Sequence, residues 1–223
     1  MATDMTPPRP SDNASADAGA AAGALRGAST PLVEAHALGC ERAGRLVVRG
    51  VAFALHPGES LLFSGPNGVG KSSLIRLIAG LLPVASGTLN VNVPVALSDE
   101  NLALDTGLPL RDALGFWTRI DGASDLRLRA ALEALDLMPL ADIPVRMLST
   151  GQRKRAMLVR VLASGAPLWL LDEPGNGLDG ASLDRLGGAM TQHLAQGGAI
   201  IAASHFPLPL AFTSTLSLDG ANA

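Results

Sequence analysis

From Pro31 onward the chain alternates short apolar runs with amphipathic stretches. Leu32 to Ala35, Leu46 to Val48 and Val51 to Leu55 read as short strands, the last closed by a Pro57-Gly58 turn. Ser60 to Ser64 is an apolar run of buried-strand length, and Leu74 to Ala79 reads as a helix ending near Gly80. Leu110 to Arg119, Asp125 to Leu135 and Gln152 to Ala163 carry helical periods, which predicts an inserted helical subdomain over about 108–164. Leu168 to Leu171 is a fully apolar strand, Gly180 to Gln196 a helix, Ala199 to Ala203 a last core strand and Thr215 to Leu218 an edge strand. Strands alternating with helices predict an α/β fold with a mostly parallel sheet covered on both faces. Residues 1–30 show neither period and are rich in Ala, Gly, Pro, Ser and Asp. They read as a disordered tail, leaving 31–223 as the domain.

Composition narrows the function. The 223 residues carry 17 Lys+Arg against 20 Asp+Glu, a net charge of −3. That balance speaks against a general nucleic-acid binder, which needs a basic face to displace counterions. A 3% aromatic content with no Tyr leaves little for stacking on single strands. The one cysteine, Cys40, permits neither an internal disulfide nor a cysteine-based zinc cluster. No apolar run is long enough for a membrane-spanning helix, and no secretory signal is evident, so if the protein serves a membrane it does so from the water side.

The strongest chemistry follows the Ser60–Ser64 run. Gly65-Pro66-Asn67-Gly68-Val69-Gly70-Lys71-Ser72-Ser73 is a full Walker A spacing between a strand and a helix. Glycines let the backbone wrap a phosphate chain with its N–H groups turned inward, and the helix adds the positive end of its dipole. Lys71 is placed to reach the β- and γ-phosphates of a bound nucleotide, and Ser72 to offer a hydroxyl to Mg²⁺.

Downstream, Leu168-Trp169-Leu170-Leu171-Asp172-Glu173-Pro174 is an apolar strand ending in two carboxylates. Asp172 suits Mg²⁺, and Glu173 suits activation of the attacking water as general base. Leu148-Ser149-Thr150-Gly151-Gln152 opens a helix; by itself it reads as an ordinary N-cap.

These motifs, in this order, resemble those of the ATP-binding-cassette (ABC) ATPases. Leu148 to Gln152 is similar to the family's Leu-Ser-Gly-Gly-Gln signature, with Thr150 the one departure. Gly177-Leu178-Asp179 looks like the family's D-loop and Ser204-His205 like its switch histidine, so that the likeness spans Leu32 to Pro209. The resemblance implies a P-loop NTPase fold with a trimmed antiparallel β part. It also implies a homodimer in which ATP is held between the Walker A of one subunit and the signature of the other. Ser149, Gly151 and Gln152 then belong to the site in trans, His205 meets the γ-phosphate in cis, and Asp179 ties the two sites together.

Cys40-Glu41-Arg42-Ala43-Gly44-Arg45, the strand leading to Pro174, Gly197-Gly198-Ala199-Ile200-Ile201 and Ser204-His205-Phe206-Pro207-Leu208 narrow the likeness. They resemble the CcmA family, the ATP-binding subunits of the haem exporter of cytochrome c biogenesis. That family implies attachment to the cytoplasmic face of the bacterial inner membrane, with separate permease subunits of the CcmB and CcmC kind. Other readings are the ATPase of a different small transporter, a soluble cassette protein, or a scaffold without turnover.

The family's Q-loop glutamine has no clear match; Glu100 or Asn101 stands in its region. No aromatic is placed for stacking adenine, which leaves Arg42 or Arg45 for that contact. His36, His56 and His193 lack ligand spacing and read as surface or capped residues. Trp117 and Trp169 read as core, and Arg153-Lys154-Arg155 as a solvated helix face.

Overall fold

In a computed structural model, which describes residues 30–42, 44–98 and 104–218, β1 (Val33–Arg42) runs antiparallel to β2 (Arg45–Leu55). β3 (Ser60–Ser64) leads through the glycine loop into α1 (Lys71–Ile78), and β4 (Ser86–Val91) returns to pair antiparallel with the other edge of β1. β5 (Val95–Ser98) enters a second sheet. Then come α2 (Leu110–Ile120), α3 (Asp125–Ala134) and α4 (Thr150–Ser164). β6 (Leu168–Asp172), α5 (Gly180–Ala195), β7 (Ala199–Ala203) and β8 (Ser214–Ser217) complete the fold. The tail expected over 1–30 falls, apart from Thr30, outside the described residues, as do Glu100 and Asn101.

Two sheets result. The antiparallel one has order β2-β1-β4; the other, order β5-β6-β7-β3-β8, is parallel throughout. The expected parallel sheet and inserted helices are therefore present, and β8 is the expected edge strand. Where two strands were expected over 46–55, the structure has one. Val51 pairs with Leu38 and Val48 with Cys40, so β2 carries one residue more than β1 between those pairs. That is a bulge, which interrupts the alternation of side chains without ending the strand.

Each residue of β6 and β7 is buried, as a parallel sheet covered on both faces requires. Alternate residues feed two separate cores. Leu168, Leu170, Ala199, Ile201 and Ala203 pack with β1, β2 and α1. Trp169, Leu171, Ile200 and Ala202 pack with α2 to α5. α4 starts at a capping box: Gln152 N–H donates to Ser149 Oγ (3.2 Å), and Ser149 N–H donates to Gln152 Oε1 (2.8 Å). Among the described residues no helix is long and apolar enough to cross a membrane.

Candidate functional site

The site is assembled by strand register. Ala203 of β7 pairs with Phe63 of β3 on one side and with Asp172 of β6 on the other. The residues that follow these three positions therefore leave the sheet side by side. They are the glycine loop, the Asp172-Glu173 step and Ser204-His205. Glu173 N–H donates to Ala203 O at 2.8 Å, and Ser204 N–H to Phe63 O at 3.3 Å, which fixes the three exits to one another.

The glycine loop closes on itself through its lysine. Lys71 is 5% exposed, and its Nζ donates to Gly65 O (2.9 Å) and Pro66 O (3.1 Å). The same ammonium lies 3.7 Å from Glu173 Oε1. The other carboxylate oxygen, Glu173 Oε2, is 2.8 Å from His205 Nδ1 and accepts the His205 backbone N–H at 3.4 Å. Ser72 Oγ donates to Asp172 Oδ1 at 2.9 Å, and Asp172 is nearly buried. Lys71, Ser72, Asp172, Glu173 and His205 thus form one continuous polar cluster between a helix N-terminus and three strand ends.

Two backbone positions in this cluster adopt positive φ, a region that residues with a side chain rarely enter. Glu173 has φ +49, a left-handed conformation that costs a residue with a side chain about 1–2 kcal/mol. It aims the carboxylate back across the loop instead of onward along β6. Gly70, the N-cap of α1, has φ +111, and a Cβ there would run into Val48 Cγ2 and lie 3.1 Å from Val47 O. The loop is therefore pressed onto β2, a contact that no motif in the sequence announces.

Pro66, Asn67, Gly68, Val69 and Ser73 complete the loop and first turn around Lys71. Ser149, Gly151 and Gln152 belong to a second cluster. Ser149 and Gln152 hydrogen-bond each other's backbone, and Gly151 faces Gly177 O, 3.8 Å from where its Cβ would stand. Asp179 caps α5 by accepting Ser182 N–H at 2.8 Å. Hydrogen bonds from the Ser182 hydroxyl and N–H hold the Asp179 carboxyl below its ordinary range.

The two clusters are joined by a residue that sequence reasoning set aside. Lys154 Nζ donates to Asn176 O at 2.6 Å, linking α4 to the loop between Glu173 and Asp179. Its neighbours behave alike: Arg153 Nε donates to Leu148 O (3.0 Å) and Arg155 Nη1 to Leu135 O (3.1 Å). The basic run expected to form a solvated face is turned onto backbone carbonyls instead. Of the arginines expected near adenine, Arg42 is exposed at the end of β1; the Arg45 side chain lies outside the described residues.

The chain is similar to known proteins along most of its length. The ABC transporter family profile matches residues 48–176. The "Cytochrome c biogenesis ATP-binding export protein CcmA" of Sphingopyxis alaskensis is 51% identical, over 81% of this chain and 93% of that protein. The protein of the same name from Zymomonas mobilis is 49% identical over 82% of this chain and 83% of its own. Among solved structures, an ATP-binding subunit of an ABC transporter superposes with a TM-score of 0.72 at 26% identity, covering 78% of this chain and 80% of that one. A subunit of the cbiONQ transporter complex of Clostridium perfringens shares the fold, with a TM-score of 0.66 at 24% identity and 80% of each chain covered. The chain accordingly belongs to the ABC transporter family, as an ATP-binding subunit of the CcmA kind.

Proposed function

We propose that this protein hydrolyses ATP to power haem export, or a haem-linked step, in cytochrome c biogenesis. The observation that carries the catalytic part is Glu173, whose two carboxylate oxygens face Lys71 and His205 respectively. In this reading Lys71 and the loop amides bind the phosphates. Glu173 takes a proton from the attacking water as general base. His205 orients Glu173 through Nδ1, which leaves Nε2 for the γ-phosphate. Ser72 Oγ and Asp172 Oδ1, 2.9 Å apart, are hard oxygen donors of the kind Mg²⁺ prefers and would hold it. When bound, Mg²⁺ neutralises charge on the phosphates.

Turnover is coupled to assembly. Two copies close on ATP, with Ser149, Gly151 and Gln152 of each completing the site of its partner and Asp179 linking the two. Closure then moves the helical subdomain (about 108–164) as a unit against the remainder of 31–223. The tail is not part of this machinery.

The membrane subunits, of the CcmB and CcmC kind, dock on a cleft of about 450 Å³ between α2, α4 and β5. Arg160 lies 3.7 Å over the Trp117 ring in its wall, and Leu81, Phe116 and Ile120 leave large apolar side chains exposed at and beside it. Docking there places the protein peripherally on the cytoplasmic face of the inner membrane.

The test is Glu173→Gln at the native locus, at normal protein level, read by haem staining of c-type cytochromes. Loss of covalent haem is expected. Normal staining, in a cell without a second maturation system, would overturn the haem-linked reading. ATP hydrolysis by purified Glu173→Gln at the wild-type rate would overturn the catalytic one.

A further inference from the structure

At the edge of the cluster around Lys71, Phe206 follows directly on the histidine that meets Glu173 and is 52% exposed. The two rings touch, with centres 3.8 Å apart and planes inclined at 44°. Consecutive side chains on an extended chain point to opposite faces, so neighbours stack only where the backbone is folded back. Ser204 makes that fold. It is 4% exposed, and its Oγ accepts Phe206 N–H at 3.1 Å and donates to Phe206 O at 2.8 Å. One hydroxyl thus closes both backbone groups of Phe206 and bends the chain at His205 and Phe206.

The chain beyond the bend is anchored as well. Pro207 fixes its own φ and restricts Phe206 to extended backbone. Leu208 Cδ2 stands 3.1 Å from where a Cβ on Gly175 would lie, and Pro209 O 2.6 Å from where one on Gly187 would lie. The segment is therefore seated at once on the turn after Glu173 and on α5, and Phe206 is carried on backbone without slack.

His205 is held on two sides. Its edge faces Glu173, whose Oε2 lies 2.8 Å from Nδ1 and accepts the backbone N–H at 3.4 Å. Its face lies against Phe206. The imidazole still keeps 29% of its surface open, and side chains in open positions change rotamer within nanoseconds. A half-turn about χ2 would exchange Nδ1 with Cδ2 and Nε2 with Cε1, which removes both polar contacts. Rotation of the ring needs clearance on both faces, and Phe206 takes it away on one.

We propose that Phe206 is a positioning residue for hydrolysis. Its ring, fixed by the Ser204 hydroxyl, holds the His205 imidazole with Nδ1 on Glu173 and Nε2 free for the γ-phosphate. This rests on the role given to His205 above.

The full chain has four histidines, so ¹⁵N-histidine labelling gives few ring signals, and His205→Gln identifies that of His205. An ionised carboxylate only accepts, so Nδ1 carries the proton. A low-field Nδ1–H signal is expected from the parent without nucleotide, lost in Phe206→Ala and kept in Phe206→Tyr. Because Phe206 is half-exposed, Phe206→Ala should move Tm by less than about 2 °C. In ATP hydrolysis, kcat should fall about tenfold or more in Phe206→Ala and return to within about twofold of the parent in Phe206→Tyr. KM for ATP should change less than about twofold, since Lys71 and its loop are untouched. A His205 signal missing from the parent or unchanged in Phe206→Ala would overturn the proposal, as would a Phe206→Tyr as slow as Phe206→Ala. A Tm loss well beyond that limit, with KM rising as kcat falls, would assign Phe206 to the fold instead. Parental turnover by His205→Gln would overturn the role of His205 itself, separately from the ring signal.

Discussion

Replacing Gly70 by alanine tests how the phosphate loop is held. Two costs meet at this position. Its φ of +111 lies in a region that residues with a Cβ avoid, and the new Cβ overlaps Val48 Cγ2 and crowds Val47 O. Gly68 separates the two, because it has φ +82 but nothing within 4 Å of an added Cβ. Gly68→Ala should therefore show the backbone cost alone, about 1–2 kcal/mol. Gly70→Ala adds overpacking against β2, for a total of about 3–4 kcal/mol. At this chain length 1 kcal/mol moves Tm by roughly 2–4 °C, so losses of about 5 °C and about 10 °C are expected. Calorimetry without nucleotide measures both. If the two variants melt within about 2 °C of each other, the loop can lift off β2 freely and the packing argument is wrong.

Acid should expose His193. Burial lowers its folded pKa, so below the unfolded value of about 6.5 the unfolded chain binds the extra proton and stability falls. Denaturant titrations across that window should show a pH slope that His193→Phe flattens; an equal slope in the variant would exclude His193 as its source. Asp179 acts in the other acid range. Its lowered pKa contributes stability above the ordinary carboxylate range that is lost as pH falls through the folded value. Asp179→Ala should therefore be less stable than the parent at neutral pH and match it in strong acid, with Asp179→Asn intermediate or unchanged because Asn also caps. Lys154→Ala removes the charged donor to Asn176 O and should cost about 1.5–3 kcal/mol in urea unfolding, more than alanine at exposed Arg129, whose ion pair with Glu133 is worth less than about 1 kcal/mol. Equal effects would mean the Lys154 link is solvated away.

What could be read in the sequence was whatever lay in one contiguous stretch. The phosphate loop is nine adjacent residues whose chemistry follows from their order, and the apolar run before Asp172 marks a buried strand without help from elsewhere. β4 escaped notice because it lies largely exposed and only Leu89 and Val91 give it an apolar face, and β5 because four residues carry too little period. The link from Lys154 to Asn176 and the press of Gly70 on Val48 join residues more than twenty positions apart. Spacing cannot reveal such contacts; they follow from how the helices and sheets pack. Trp169 was rightly read as core, yet its stacking on His193 depends on α5 ending beside the start of β6.

The shared pairing of Ala203 with Phe63 and Asp172 also limits how this site can change over generations. Inserting one residue into β3, β6 or β7 would slide its exit by about 3.3 Å and turn the following side chain to the opposite face. Lys71, Glu173 and His205 could then no longer meet, whichever strand took the insertion. The register predicts that length variation falls in the connections away from these strand ends, and the sheet acts as a ruler against which each of the three exits is cut to length.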